Sequence, residues 1–475
     1  MKYKNKIGLL LTFAVGLLIE TVSGQDSLTY YLEQAGLHNP GLNAMYLNYS
    51  AALEKVPQAA SLPDPQLQAG YFLKPMELIE GSQRANVQIM QMFPWFGTLK
   101  AAKDEASKMA LVKFEEFINA RNELYMNVKT SYYQVYQTTR EIEITEKNLV
   151  LLHSLEQLSI VKFSSNGASP DGNAGGMNVK PGNGSGMQEM NNNPMQNGSG
   201  NGNLSANSNS SASSGNAMNS SMPGNGKADL VSVLKIQIEL KELESRLAFL
   251  KDELVTRKAG FNRYLDRPAS LNVYTDDSLA EADFPSDVYL WSDSLKSNPM
   301  VKMYEAEAAA GDARYKMNTR MGYPMIGLGL NYMIIGKSSE NMSEMNGKDM
   351  LMPMVSVSIP IYRKKYKAMR KEADIMKQAA LKSLEDALNN LGYYYQQTLR
   401  DMNDAERRIK LYSEQVTLAN QSLQLLITTY SSANADLDEI LRMEQQLLDF
   451  EFKKVEAIVD SHTSQAQLNY LITNE

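Results

Sequence analysis

Methionine is the residue type in this chain whose chemistry stands out: 475 residues contain 28 methionines and no cysteine. One group, Met177, Met187, Met190, Met195, Met218 and Met222, is set in a tract of Gly, Asn and Ser. A second, Met342, Met345 and Met350, continues to Met352 and Met354. Thioether sulfur is a soft ligand that suits Cu(I) and disfavours hard cations, so both groups are candidate metal ligands. The plainer reading is compositional drift in the tract and ordinary strand residues at Met352 and Met354. Other chemistries are harder to write. His38, His153 and His462 lie far apart, and without cysteine no zinc-type ligand spacing exists. Gly224-Asn225-Gly226-Lys227 lacks the leading glycine spacing and the following Ser or Thr of a phosphate loop. No catalytic triad can be assembled, so neither an enzyme nor a cofactor is expected. A net charge of −7 argues against nucleic acid, which selects basic surfaces.

The elements that must position these residues are written twice. Asn39-Pro40 recurs as Asn298-Pro299, Pro65 as Pro324, Pro94 as Pro360 and Glu105-Ala106 as Glu372-Ala373. The register holds from Glu105 to Phe163, lapses, and resumes at Ala228-Asp229-Leu230 against Ala435-Asp436-Leu437. Self-similarity at a fixed offset defines units that bury one another. The reading is two repeats, 25–267 and 268–475, behind a secretory signal at 1–24 with Lys2, Lys4 and Lys6 before an apolar run. No later stretch offers the roughly 20 apolar residues of a spanning helix. Without cysteine there is no disulfide and no acceptor for a lipid anchor at the cleavage site.

Each repeat reads as helix, strand, loop, strand, long helix, tip turn and return helix. Leu381, Leu388, Tyr395, Met402, Ile409, Val416, Leu423 and Tyr430 are spaced by seven, a coiled-coil seam. Phe114, Val128, Val135, Ile142 and Leu149 give the matching seam, interrupted by Arg121 and Glu156. Long helices are predicted near 98–163 and 366–430, with return helices near 228–264 and 435–472. A helix of about 60 residues would be roughly 90 Å long. Residues 166–227 lack the apolar content to offset chain entropy and are predicted to be disordered.

Between the matched prolines the period changes to two. Ile326, Leu328, Leu330 and Tyr332 alternate with Gly327, Gly329 and Asn331, and Val355, Val357 and Ile359 with Ser356 and Ser358. Leu67, Ala69, Tyr71 and Leu73, answered by Val87 and Ile89, give a weaker version, so strand hairpins are predicted near 66–93 and 325–361, with long polar connections. One apolar face and one small or polar face suit a soluble sheet on a core or a transmembrane barrel with a wet lumen. Strands near the 9 to 11 residues that cross a bilayer, together with export, favour the barrel. Four strands cannot close, and an open edge in lipid leaves backbone groups unpaired, so several copies must share one barrel. The fold class is thus mixed α+β, a shared transmembrane β-barrel with four strands per protomer on a long antiparallel α-helical coiled coil, which the resemblance given below makes a coiled-coil barrel.

Several motifs in this order resemble the TolC-type outer-membrane efflux family. They are Leu62-Pro63-Asp64-Pro65 before the first strand, Met92-Phe93-Pro94-Trp95-Phe96-Gly97 closing the first hairpin, Ser358-Ile359-Pro360-Ile361-Tyr362 closing the second, and the two Ala-Asp-Leu segments. The resemblance covers almost the whole mature chain. It implies a homotrimer sharing a twelve-stranded barrel in the outer membrane above a periplasmic helical tunnel. It also implies a passive duct served by a periplasmic adaptor and an inner-membrane pump. By the same resemblance Asp229 and Asp436, with Asp438, Glu439 and Tyr430, stand at the tip and gate. Capping of helix starts is an equally physical role for Asp229 and Asp436, and packing for Tyr430. The cargo would be copper or silver ions if the methionines serve it. Drug or general solute efflux and type I secretion are the alternatives, and an exported, non-membrane, metal-binding coiled-coil scaffold is the competing class. The basic run Arg363, Lys364, Lys365, Lys367, Arg370 and Lys371 would meet anionic groups at the membrane surface or simply be a solvated helix start.

Overall fold

The computed structural model describes residues 27–78, 81–166, 225–283, 294–337, 344, 346–431 and 436–472. The expected signal segment and nearly all of the tract at 166–227 lie outside these residues. The two Asn-Pro signals do the same work. Asn39 opens helix α2 (Pro40–Ala60), which follows helix α1 (Ser27–His38). Its side-chain oxygen accepts from the Leu42 N–H at 2.9 Å, and its amide donates to the Tyr264 carbonyl at 2.9 Å. Asn298 opens helix α5 (Pro299–Arg320), accepting from the Met300 N–H at 2.9 Å and donating to the Leu471 carbonyl at 3.0 Å. Each asparagine therefore caps the helix that leads into a strand hairpin and ties it to the end of a return helix. Proline at the first helical position loses no hydrogen bond there.

The long helices α3 (Thr98–Asn166) and α6 (Arg363–Ser431) have 69 residues each, roughly 100 Å at 1.5 Å per residue. Return helices α4 (Asn225–Asn262) and α7 (Leu437–Ile472) run back along them. In lateral order α2 and then α4 flank α3, α5 and then α7 lie between α3 and α6, and α6 forms the far edge. The result is one layer of helices with two open edges. Leu411, Leu418 and Leu425, spaced by seven on α6, are 47%, 63% and 69% exposed along one edge. Val231, Leu234 and Ile238 of α4 are exposed along the other.

The seam on α6 changes partner along its length. Tyr395, Met402, Ile409, Leu423 and Tyr430 are buried, whereas Leu381 is 43% exposed and Leu388 half-buried. In that strand-side stretch the buried positions are Ala373, Ala380 and Ala387, because α5 packs there with Ala306, Ala310, Gly311 and Ala313. A Cβ on Gly311 would sit 3.0 Å from the Lys377 Cβ, so the two helices approach as closely as small residues allow. The seven-residue repeat is thus a core seam only beyond about Leu388. In the other repeat Glu156 interrupts the seam to accept from Gln237 of α4 at 2.9 Å, a polar tie between helices.

A strap at 273–282 packs on α1, α3 and α7. The hydroxyls of Tyr31, Tyr132 and Tyr136 accept from the N–H groups of Tyr274, Asp276 and Leu279 at 3.1, 3.1 and 3.0 Å. These tyrosines line a core with Val128, Phe261 and Leu265.

Strands β1 (Gln66–Leu78), β2 (Gly81–Phe93), β3 (Met325–Gly336) and β4 (Met350–Ser358) form one antiparallel sheet in the order β1-β2-β3-β4. The first hairpin is tight, Leu78 pairing with Gly81, in place of the long polar connection expected. Gly81 has φ +130°, a conformation that favours glycine where the chain reverses. Pro75 falls where the β1–β2 register shifts between Tyr71 and Met76, and Pro353 lies on β4, so both prolines sit on outer strands as ladder hydrogen bonding requires. The edges of β1 and β4 are unpaired among the described residues.

Candidate functional site

The sheet has two unlike faces, and the strand register assigns the paired residues to one or the other. Leu67, Ala69 and Tyr71 of β1 share a face with Ala85, Val87 and Ile89 of β2, Leu328, Leu330 and Tyr332 of β3, and Leu351, Val355 and Val357 of β4. No helix covers it. Tyr71, Leu73 and Val355 are 75%, 92% and 73% exposed. The opposite face carries Gln66, Gln68, Asn86, Gln88, Gly327, Gly329, Asn331 and Ser356 together with methionines 90, 92, 325, 333, 350, 352 and 354. Residues of β2 and β3 on that face are mostly half-buried by one another while their neighbours on the apolar face are exposed, so the sheet curves toward the methionines.

Of the expected metal ligands, Met177, Met187, Met190, Met195, Met218, Met222, Met342 and Met345 lie outside the described residues. Met350 is on the methionine face of β4, paired with Met333. Met90, Met92 and Met333 were not among the expected ligands. The signal for them is spacing: Met90 and Met92, like Met350, Met352 and Met354, alternate by two and must share a strand face. Among the described residues no group of three His, Asp or Glu side chains could hold a metal ion. His462 is engaged elsewhere, stacked on Tyr133 at 4.8 Å with Nε2 2.8 Å from the Ala280 carbonyl oxygen. Burial pushes its pKa down, which keeps the ring neutral.

At the far end of the long helices the expected tip residues are brought together only in part. Tyr430 is buried; its hydroxyl is 3.1 Å from Ser159 Oγ of α3, and the Lys162 ammonium lies 3.9 Å from its ring centroid. It ties the two hairpin ends together. Asp436 stands just before α7 and its Oδ1 accepts from the Asp438 N–H at 3.3 Å, a capping contact. Asp438 pairs with Lys235 of α4 at 2.6 Å, and Glu439 is exposed. Asp229 is not at a helix start: α4 begins at Asn225, which makes Asp229 the fifth helical residue. Two turns below Asp436, Glu444 is fully buried in the tip core beside Ile440, Leu447 and Leu448, with neither oxygen hydrogen-bonded among the described residues. Burial, reinforced by the like charges of Glu239 and Glu451, pushes its pKa up to about 7.

Where strands meet helices the chain carries aromatic and basic residues. Trp95 and Tyr323 approach with centroids 6.0 Å apart, Phe96 and Tyr362 are exposed, and the basic run from Arg363 to Lys371 occupies the first turns of α6.

No protein-family model matches the chain, and no curated protein matches it in sequence. Solved structures do. The outer-membrane protein VceC of Vibrio cholerae is 13% identical, with a TM-score of 0.66 over 94% of this chain and 95% of that one. CusC, in a study of its folding and transmembrane channel formation, is 14% identical at a TM-score of 0.67 over 94% and 92%. The open state of the MtrE outer-membrane channel of Neisseria gonorrhoeae is 12% identical at 0.65 over 94% and 88%. With its uncovered four-stranded sheet on a layer of long paired helices, the chain has the fold of the TolC-type outer-membrane efflux channels.

Proposed function

We propose that the chain is one protomer of an outer-membrane duct for efflux, a homotrimer whose sheets close one barrel and whose helices close one tunnel. The observation that carries this reading is the bare apolar face of a sheet with two unpaired edges. In water, exposed rows of Leu, Val and Tyr are an aggregation liability; in hydrocarbon they are the required surface, provided that every edge is paired. The β3 strand of 12 residues spans about 28 Å if tilted by about 45°, close to the roughly 30 Å hydrocarbon thickness. Aromatic residues and the basic run at the strand–helix boundary suit the interface and its anionic headgroups. The open helical edges match the open strand edges: α6 and β4 bound one side of the protomer, α2, α4 and β1 the other. A head-to-tail ring satisfies all of them at once.

The duct is passive and would meet a periplasmic adaptor and an inner-membrane pump at the tip, where Asp229, Asp436, Asp438 and Glu439 of each protomer make acidic rings and Tyr430 braces the hairpin ends. The methionine content supports copper or silver ions as cargo. The test is growth of a deletion strain on graded copper and silver beside drugs and bile salts, with the protein followed in envelope fractions. Selective metal sensitivity supports the cargo reading, and sensitivity to organic compounds alone replaces it with solute efflux. Release of the protein as a soluble periplasmic species refutes the duct and favours the scaffold.

A further inference from the structure

Glycines 327 and 329 leave a groove along the methionine face of β3. Met92 and Ser356 flank Gly327 from the neighbouring strands, and Met90 and Met354 flank Gly329. Two strand spacings put the flanking backbones about 10 Å apart, within reach of leaning methionines. Those of β2 do lean. Met90 Sδ lies 3.4 Å and Met92 Sδ 3.9 Å from Ser356 Oγ on the far side of the groove. A Cβ on Gly327 would collide with Ser356 Oγ and sit 2.7 Å from Met92 Sδ and 3.4 Å from Met90 Sδ, so the hydroxyl and both sulfurs converge where the glycine has no side chain.

We propose that Met90, Met92 and Met354 around this groove form a binding site for a soft monovalent cation, Cu(I) or Ag(I). The proposal rests on the duct reading, which makes this face the lumen wall. Neutral thioethers select soft ions over the hard cations that fill the envelope. A few such ligands bind weakly enough to release, as a conducting path requires. Met352 and the Met333–Met350 pair continue the series away from the helices at strand spacing. Methionine also serves as a filler of irregular cores, but no described helix covers the groove, and the strand partners of Met90, Met92 and Gly327 there are Gln66, Gly329, Gly327 and Ser356. The side-chain oxygen of Asn331, next along the face, is buried without a hydrogen-bond partner among the described residues.

The test is Ag(I) titration of the detergent-purified full-length protein against a Met90→Leu/Met92→Leu/Met354→Leu variant, which keeps side-chain volume and every methionine outside the groove. The variant is expected to lose at least tenfold in affinity for about one Ag(I) per protomer, and Gly327→Val, which fills the groove and keeps all sulfurs, is expected to do the same. Superimposable titrations overturn the site. The unmodified protein labelled with methyl-13C methionine gives a readout that needs no variant: Ag(I) should shift the methyl signals of residues 90, 92 and 354 first, and unshifted signals refute the proposal. Pore conductance of the same preparation separates the two claims. A conducting protein whose groove ignores Ag(I) loses the site and keeps the duct, whereas a protein that never conducts loses the duct.

Discussion

Replacing Glu444 with glutamine should stabilise the protein at pH 8 and do little at pH 4. The carboxyl is fully buried at the tip end of the helical layer, and neither oxygen has a hydrogen-bond partner among the described residues. Burial, with Glu239 and Glu451 nearby, raises its pKa from the ordinary 4.5 to about 7. The folded state therefore holds the proton more tightly than the unfolded chain does. The stabilisation from that proton is fully present below about pH 4.5 and is lost as the pH rises through about 7. The interval from 4.5 to about 7, at about 1.4 kcal/mol per pH unit, amounts to about 3 kcal/mol. Glutamine is neutral at every pH and nearly the same size, so it removes this cost above pH 7 and has none to remove in acid. For a chain of 475 residues with about 2.1 cal/mol/K of unfolding entropy per residue, the gain at pH 8 is about 3 °C in Tm. Helix circular dichroism through a thermal ramp, in one detergent at pH 4, 6 and 8, reads it directly. A gain that is equal at all three values, or absent at pH 8, refutes the burial argument.

Asn298→Ala should cost about 2–4 kcal/mol, about 1 from the lost cap and the remainder from the Leu471 and Tyr470 carbonyls left without their donor; Asn298→Ser keeps a neutral acceptor and should recover roughly the capping share in the same melts. Leu418→Arg alters a side chain that the protomer already exposes, so helix content should hold while size-exclusion chromatography shifts toward monomer; an unshifted oligomer means that α6 is not an edge in contact. Lys235→Ala removes an exposed tie to Asp438 and should change stability by less than about 1 kcal/mol. It should raise single-pore conductance severalfold if the α4–α7 tie narrows the tip, and unchanged conductance contradicts that role.

The fold was legible because its signals are long or repeated. The period-two segments are strands, the seven-residue spacing marks the long helices, and the fold class read from them is the one the structure adopts. What escaped was decided by partners. Leu381 continues the heptad on paper, yet α5 with its small residues takes the place of α7 there and turns Leu381 outward. Asp229 resembles Asp436 in its tripeptide, but whether an aspartate caps depends on where the helix starts, and α4 starts four residues earlier. The methionine face was half visible: Met350, Met352 and Met354 stand out in one segment, whereas their neighbours Met90 and Met92 are some 260 residues away and meet them only through the β2–β3 register.

The central claim is that the two edges of the protomer close on copies of itself. The chain has no cysteine, so single pairs can be introduced without background, one on β1 at Leu67, Ala69 or Tyr71 and one on β4 at Leu351, Val355 or Val357. Oxidation in isolated envelopes should give, for the pairs in register, a ladder ending at a covalently closed trimer, and the same pairs should fail to link in a Leu418→Arg background. Monomer alone for every pair, from protein that extracts without detergent, would contradict a shared barrel.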